Sequence, residues 1–154
     1  MTGLTFLKYL FLGYSFLISL ITFSLSDDLR NPRFFHRCFI AGIISSIIGI
    51  ILELTNVLKM LPGMTILLMS ISIIYLGFYR ILFKLFKSWK GVDPYITSSS
   101  STIGGKTISG FWSKYPKDRK IMWSDFLFSL AQVFIPIFVI IALIIIIIEL
   151  NKYL

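Results

Sequence analysis

The chain has 154 residues, 56% of them hydrophobic, with a mean hydropathy of +0.88, well above the roughly 45–50% apolar content of soluble domains. Its formal net charge is +8, and Lys and Arg gather in a few segments instead of spreading along the chain. A single cysteine excludes an intrachain disulfide or a CxxC metal or redox site, and the lone histidine, His36, excludes a multi-histidine metal site or a serine triad within one chain.

Apolar runs of about 20 residues match the hydrocarbon thickness of a bilayer. Backbone groups in lipid need partners within their own segment, so the expected fold is an all-α integral membrane protein, a single membrane domain with four transmembrane helices. The alternating strands of a membrane barrel, about 10 residues each, are not seen.

The first run, 5–25, reads TFLKYLFLGYSFLISLITFSL. Ser24 and Ser26 before Asp27 suit a signal-peptide cleavage site, but a positive n-region is nearly lacking, so an uncleaved helix is expected. In the following SDDLRNPRFFHR, Asn31 suits an N-cap and Pro32 a first helical position. The second helix should therefore start before its lipid-length run, 38–57, with Phe34, Phe35, His36 and Arg37 at headgroup level. Asp27 and Asp28 faintly resemble the acidic motifs of membrane prenyl and phosphatidyl transferases. The remaining acids, Glu53, Asp93, Asp118, Asp125 and Glu149, supply no second cluster for a Mg²⁺ site. Loop solvation beside Arg30 is the expectation for the pair, and neither a cofactor nor a metal nor an enzymatic role is assigned. Cys38 could accept palmitate at the cytoplasmic start of the second helix, but a small apolar helix residue is the preferred assignment.

Within that helix Ala41, Ser45 and Gly49 recur every four residues, with Gly42 and Ser46 in the adjacent column. Small residues at this spacing let helix backbones approach closely where lipid provides no hydrophobic force. Glu53 continues the column one turn later. It either reaches water or Lys59 near the outer surface, the favoured expectation, or faces a helix interface or an aqueous path.

A short turn around Leu61, Pro62 and Gly63 leads to the third run, 64–86, and makes the two helices an antiparallel hairpin. Arg80, Lys84 and Lys87 recur at i, i+4 and i+7 beside Ile81, Leu82, Phe83, Leu85, Phe86 and Trp89. The pattern predicts an amphipathic extension into the interface that ends before Gly91 and Pro94.

Residues 87–125 form a basic loop too short for an independent core. It combines Tyr95, Phe111, Trp112, Tyr115 and Trp123 with Lys114, Lys117, Arg119 and Lys120. Aromatic and basic side chains together suit a protein partner or anionic lipid headgroups. Nucleic acid is not expected, since RNA-recognition modules place their aromatics on larger sheets. Gly105, Lys106 and Thr107 spell the end of a phosphate-binding loop, but the first glycine of G-x-x-x-x-G-K-[ST] would fall on Ser100, and Gly110 interrupts the helix that should follow. Ser101-Thr102-Ile103 and Lys106-Thr107-Ile108 around Gly104-Gly105 instead predict a short β-hairpin.

In the fourth run, 126–149, Asp125, Ser129, Gln132 and Pro136 form a polar column. Pro136 denies the carbonyl of Gln132 its helical donor, and Gln132 is a candidate for bonding another helix.

Twelve of the 15 Lys and Arg residues lie between the first and second helices or from Arg80 through the following loop; the others are Lys8, Lys59 and Lys152. The positive-inside rule then puts both basic segments in the cytoplasm and both termini outside, with a bacterial inner membrane the expected location. The expected role is a non-catalytic, homo-oligomeric subunit or anchor that recruits or senses a cytoplasmic partner through the basic aromatic loop. The alternative is a small oligomeric channel or transporter subunit with Glu53 and Gln132 facing a pore. In architecture alone it resembles small multi-span subunits of bacterial membrane complexes, including those of anti-phage defence, a likeness that assigns no function.

Overall fold

A computed structural model describes the backbone of residues 3–95 and 122–153, with side chains throughout that set except at 3–5, 7, 8 and 27. Four α-helices occupy it: α1 (Gly3–Ser24), α2 (Pro32–Leu54), α3 (Met64–Lys90) and α4 (Trp123–Leu150), with a 3-10 helix, Ser26–Arg30, between the first two. No strand occurs among the described residues. The expected hairpin at 101–108 lies outside them.

Among the described residues, α2, α3 and α4 are each long and apolar enough to cross a membrane. The corresponding segment of α1, Tyr9–Ser24, is shorter.

Helix boundaries follow local chemistry. Asn31 caps α2, its side-chain oxygen accepting from the Arg33 N–H at 3.0 Å, and Pro32 takes the first helical position. α2 ends at Leu54, earlier than the apolar run implies, and Asn56 and Lys59 adopt positive φ in the turn that follows. α3 runs to Lys90 and stops at Gly91, whose φ of 70° is the left-handed geometry that glycine adopts without a Cβ clash. α4 begins at Trp123, three residues ahead of its apolar run, because Asp125 holds its first turn.

α3 is the central element and touches each of the other helices. Gly42 lies against Ser72 and Ile73, and Gly49 against Met69 and Ile66, so α2 runs antiparallel to α3. Ser15 pairs with Leu68 and Phe23 with Tyr75, so α1 runs parallel to it. Phe128 sits against Phe86, and Ile147 reaches Gly63, so α4 is antiparallel. The bundle is up-down-up-down about α3.

This register defines two ends. Ser24, Arg37, Arg80 and Ala131 lie at comparable height. Beyond them α3 and α4 continue as a helix pair, built around Tyr79, Phe86 and Phe128, with Cys38, Tyr75 and Leu76 below. The opposite end carries the α2–α3 turn and a second cluster of Leu52, Leu58 and Met69.

Candidate functional site

The densest polar constellation surrounds the base of the basic loop. Asp125, fully buried on the first turn of α4, spends both carboxylate oxygens on backbone donors: Tyr95 N–H donates to Oδ1 at 3.0 Å and Met122 N–H to Oδ2 at 2.9 Å. Tyr95 and Met122 flank 96–121, so one side chain ties together the two stems of the loop. A carboxylate near a helix N-terminus also meets the favourable end of the helix dipole.

Asp93, two residues before Tyr95, is shared by two cations. Lys87 Nζ is 3.0 Å from Oδ1, and Arg30 Nη2 donates to Oδ2 at 3.2 Å. The hydrogen bond from Lys87 holds the Asp93 carboxyl below the usual carboxylate range, aided by the charge of Arg30 and resisted by partial burial. Burial works against the charged guanidinium of Arg30, but hydrogen bonding and charge from Tyr95 and Asp93 outweigh it and raise its pKa. Arg30 also lies 4.4 Å from the centroid of the Tyr95 ring. The 3-10 helix, the end of α3 and the loop stem are therefore joined by one charged cluster, in which Pro94 is buried.

The basic flank of α3 continues from this cluster. Arg80 lies over the ring of Phe35 at 5.3 Å, Phe35 stacks on Phe39 at 6.1 Å, and Lys84 is exposed. Trp89 is exposed beneath Lys90, whose ammonium is 3.7 Å from the ring centroid, and Trp123 is exposed beside Phe126. Trp112, Tyr115, Lys117, Arg119 and Lys120 lie outside the described residues.

The chain matches no family model, and no curated protein or solved structure is detectably similar to it.

The small-residue column of α2 faces α3 within the same chain. A Cβ on Gly49 would lie 2.7 Å from Met69 Cβ, and one on Gly42 would lie 3.2 Å from Ser72 Oγ. Ser45 Oγ donates to the Met69 carbonyl at 2.7 Å from a fully buried position. Ser46 donates back to the Gly42 carbonyl at 2.9 Å, and Ala41 is half-buried beside it.

Glu53 is half-buried and makes no ion pair with Lys59 among the described residues. Its Oε1 accepts the Gly63 N–H at 2.7 Å, so the carboxylate caps α3 and closes the α2–α3 turn. On α4, Ser129 Oγ donates to the Asp125 carbonyl at 2.8 Å. Gln132 is 2% exposed, and its Oε1 has no hydrogen-bond partner among the described residues. The expected bond to another helix is not made there.

Asp27 and Asp28 fall in the 3-10 helix, and the Asp27 side chain is outside the described set. Arg30 turns to Asp93. Among the described residues no three His, Cys, Asp or Glu side chains converge to hold a metal ion.

Asp93 and Asp125 are the site residues that sequence patterns did not single out as loop anchors. The signal for Asp125 was present in part, as an acid at the third position of a helix after a break. Its second partner, Tyr95, lies 30 residues away and has no local signature.

Proposed function

We propose that the protein is a four-span integral membrane subunit that presents its basic, aromatic loop to a cytoplasmic partner. The observation that carries this is the clamped loop base: Asp125 and the Asp93 cluster fix where the chain leaves the bundle and where it returns. A loop whose stems are pinned a short distance apart loses less entropy on engaging a partner than one hung on mobile ends.

Helix register supports the membrane disposition. From Arg80 back to Met64, from Arg37 to Leu54 and from Gln132 to Leu150, each segment covers about 24–27 Å at 1.5 Å per residue, close to the roughly 30 Å of bilayer hydrocarbon. α1 ends at the same height as Arg80 and Arg37 and runs alongside, as a fourth span would. Arg30, Arg33, Arg37, Arg80, Lys84, Lys87 and Lys90 then form a rim on one face, which the positive-inside rule assigns to the cytoplasm with both termini opposite. Anionic headgroups are the expected lipid contact of that rim.

The small column of α2 is used against α3, so self-association would rest on other surfaces. Exposed Phe134, Phe138, Ile141 and Ile145 on α4 suit lipid or a second copy. A channel is the weaker alternative, because Glu53 is engaged as a cap and Gln132 is enclosed within the bundle.

Two measurements test the proposal. A membrane-impermeant maleimide should label a cysteine at position 106 from the cytoplasmic side and one at position 59 from the other, in a Cys38→Ser background. Crosslinking and mass spectrometry on native membranes should recover a cytoplasmic protein through residues 88–125. Labelling of both positions from one side, or a crosslinked loop that returns no specific protein, would refute it.

A further inference from the structure

We propose that Arg30, Arg80, Lys84 and Lys87 form a continuous basic flank that binds the phosphates of anionic phospholipid headgroups, and that Asp93 occupies its Arg30–Lys87 end as a built-in competitor. This deepens the proposed function and rests on the basic end facing a lipid surface.

Arg80, Lys84 and Lys87 follow one flank of α3, while Tyr79 and Phe86 occupy its buried face. Arg80 is held over Phe35 at 5.3 Å, above the Phe35–Phe39 stack. A guanidinium over an aromatic floor, beside an ammonium one turn along, suits the boundary between acyl chains and phosphates. At the far end of the flank, Lys87 and Arg30 converge on the Asp93 carboxylate from two different elements, at 3.0 and 3.2 Å. A carboxylate bridging two cations marks where a phosphate oxygen would be held, since both anions take the same charge-assisted hydrogen bonds.

The competition has a structural consequence. Asp93 is joined through buried Pro94 to Tyr95, whose N–H is held by Asp125. A headgroup that draws Arg30 and Lys87 from Asp93 removes two of the contacts fixing the first stem of the loop. Lipid composition then adjusts how firmly that stem is held.

The test uses the full-length protein in detergent titrated with phosphatidylglycerol or phosphatidylcholine, with bound lipid counted by native mass spectrometry. Wild type should prefer phosphatidylglycerol, and Arg80→Gln with Lys84→Gln should lose that preference. Asp93→Asn should tighten phosphatidylglycerol binding roughly twofold to fivefold, the scale of one exposed ion pair. Asp93→Glu, which keeps the carboxylate, should return to wild-type affinity and controls for disturbed folding.

Excess glycerol phosphate should leave the lipid bound. Complete displacement by it identifies a free-phosphate site and overturns the lipid assignment. Unchanged affinity in Asp93→Asn, with binding still lost in the Arg80 and Lys84 variant, overturns the competitor role alone. Equal binding of both lipids by wild type removes the premise that the basic end meets anionic headgroups.

Discussion

The two ends of the bundle are held by different physics. At the α2–α3 seam, backbones approach over Gly42, Ser45 and Gly49, and cohesion comes from van der Waals contact and one buried hydroxyl bond. At the loop base, cohesion comes from carboxylates that collect backbone N–H groups and cations. On the proposed membrane disposition, the contrast follows from the solvent that each region meets. Where lipid surrounds helices, burial of apolar surface offers no net drive and closeness of packing must serve. Near headgroups and water, charge and directional hydrogen bonds specify where an irregular chain enters and leaves.

Substitutions at the seam should lower global stability, and those at the loop base should act locally. Gly49→Leu should have the largest effect, because even its Cβ meets Met69 Cβ at 2.7 Å. A loss of about 3 kcal/mol is expected for forced overpacking, read as a lower unfolding midpoint of the whole protein in detergent. Gly42→Ala should cost much less, since the nearest atom is the Ser72 hydroxyl. Equal effects at Gly42 and Gly49 would contradict a seam governed by closest approach.

Asp125→Ala comes next. Two backbone N–H groups lose a charged acceptor, for which about 1.5–3 kcal/mol is typical. Its effect should be local: hydrogen exchange at Tyr95 and Met122 should accelerate while amides of α2 stay protected. Uniform acceleration across all four helices would place Asp125 in the global core instead.

Ser45→Ala should remove about 0.6 kcal/mol, the average for hydrogen bonds between membrane helices, again through the global midpoint. Asp93→Asn should cost less than about 1 kcal/mol, because its partners are largely exposed. The expected change is faster exchange at Tyr95 in low salt that converges on wild type in high salt.

Acid should reproduce this last effect. The Asp93 carboxyl is depressed in the folded protein, so its stabilisation is present above the ordinary carboxylate value of about 4. It is lost as pH falls through the lower folded value. Exchange at Tyr95 should therefore rise in that acid window, beyond the intrinsic pH dependence, in wild type but not in Asp93→Asn. An identical acid response in both would assign it to another group.

Much of the architecture was legible because it depends on composition and short-range chemistry. Apolar runs of lipid length become α2, α3 and α4, Asn31 and Pro32 start α2, and Gly91 ends α3. The polar groups were read with less success, for a common reason. Glu53 was expected to reach water or Lys59, and one of its carboxylate oxygens caps α3 at Gly63. The small column was read as a helix-packing face, and the neighbour it packs on is α3 of the same chain. Gln132 was a candidate for bonding another helix and is enclosed, with no partner for its Oε1 among the described residues. Each outcome depends on which helix faces which, and the periodicity of one helix carries no record of its neighbour.

The sequence by itself determined that this chain is helical and apolar enough to span a membrane, and that its cations concentrate at one end, since both are sums over residues. Only the tertiary structure decided that Asp125 joins Tyr95 to Met122 and that Asp93 bridges Arg30 to Lys87. Those contacts need positions far apart in the chain to reach within about 3 Å of one another, and it is the packing of α4 against α3, and of the 3-10 helix against α1 and α2, that brings them there.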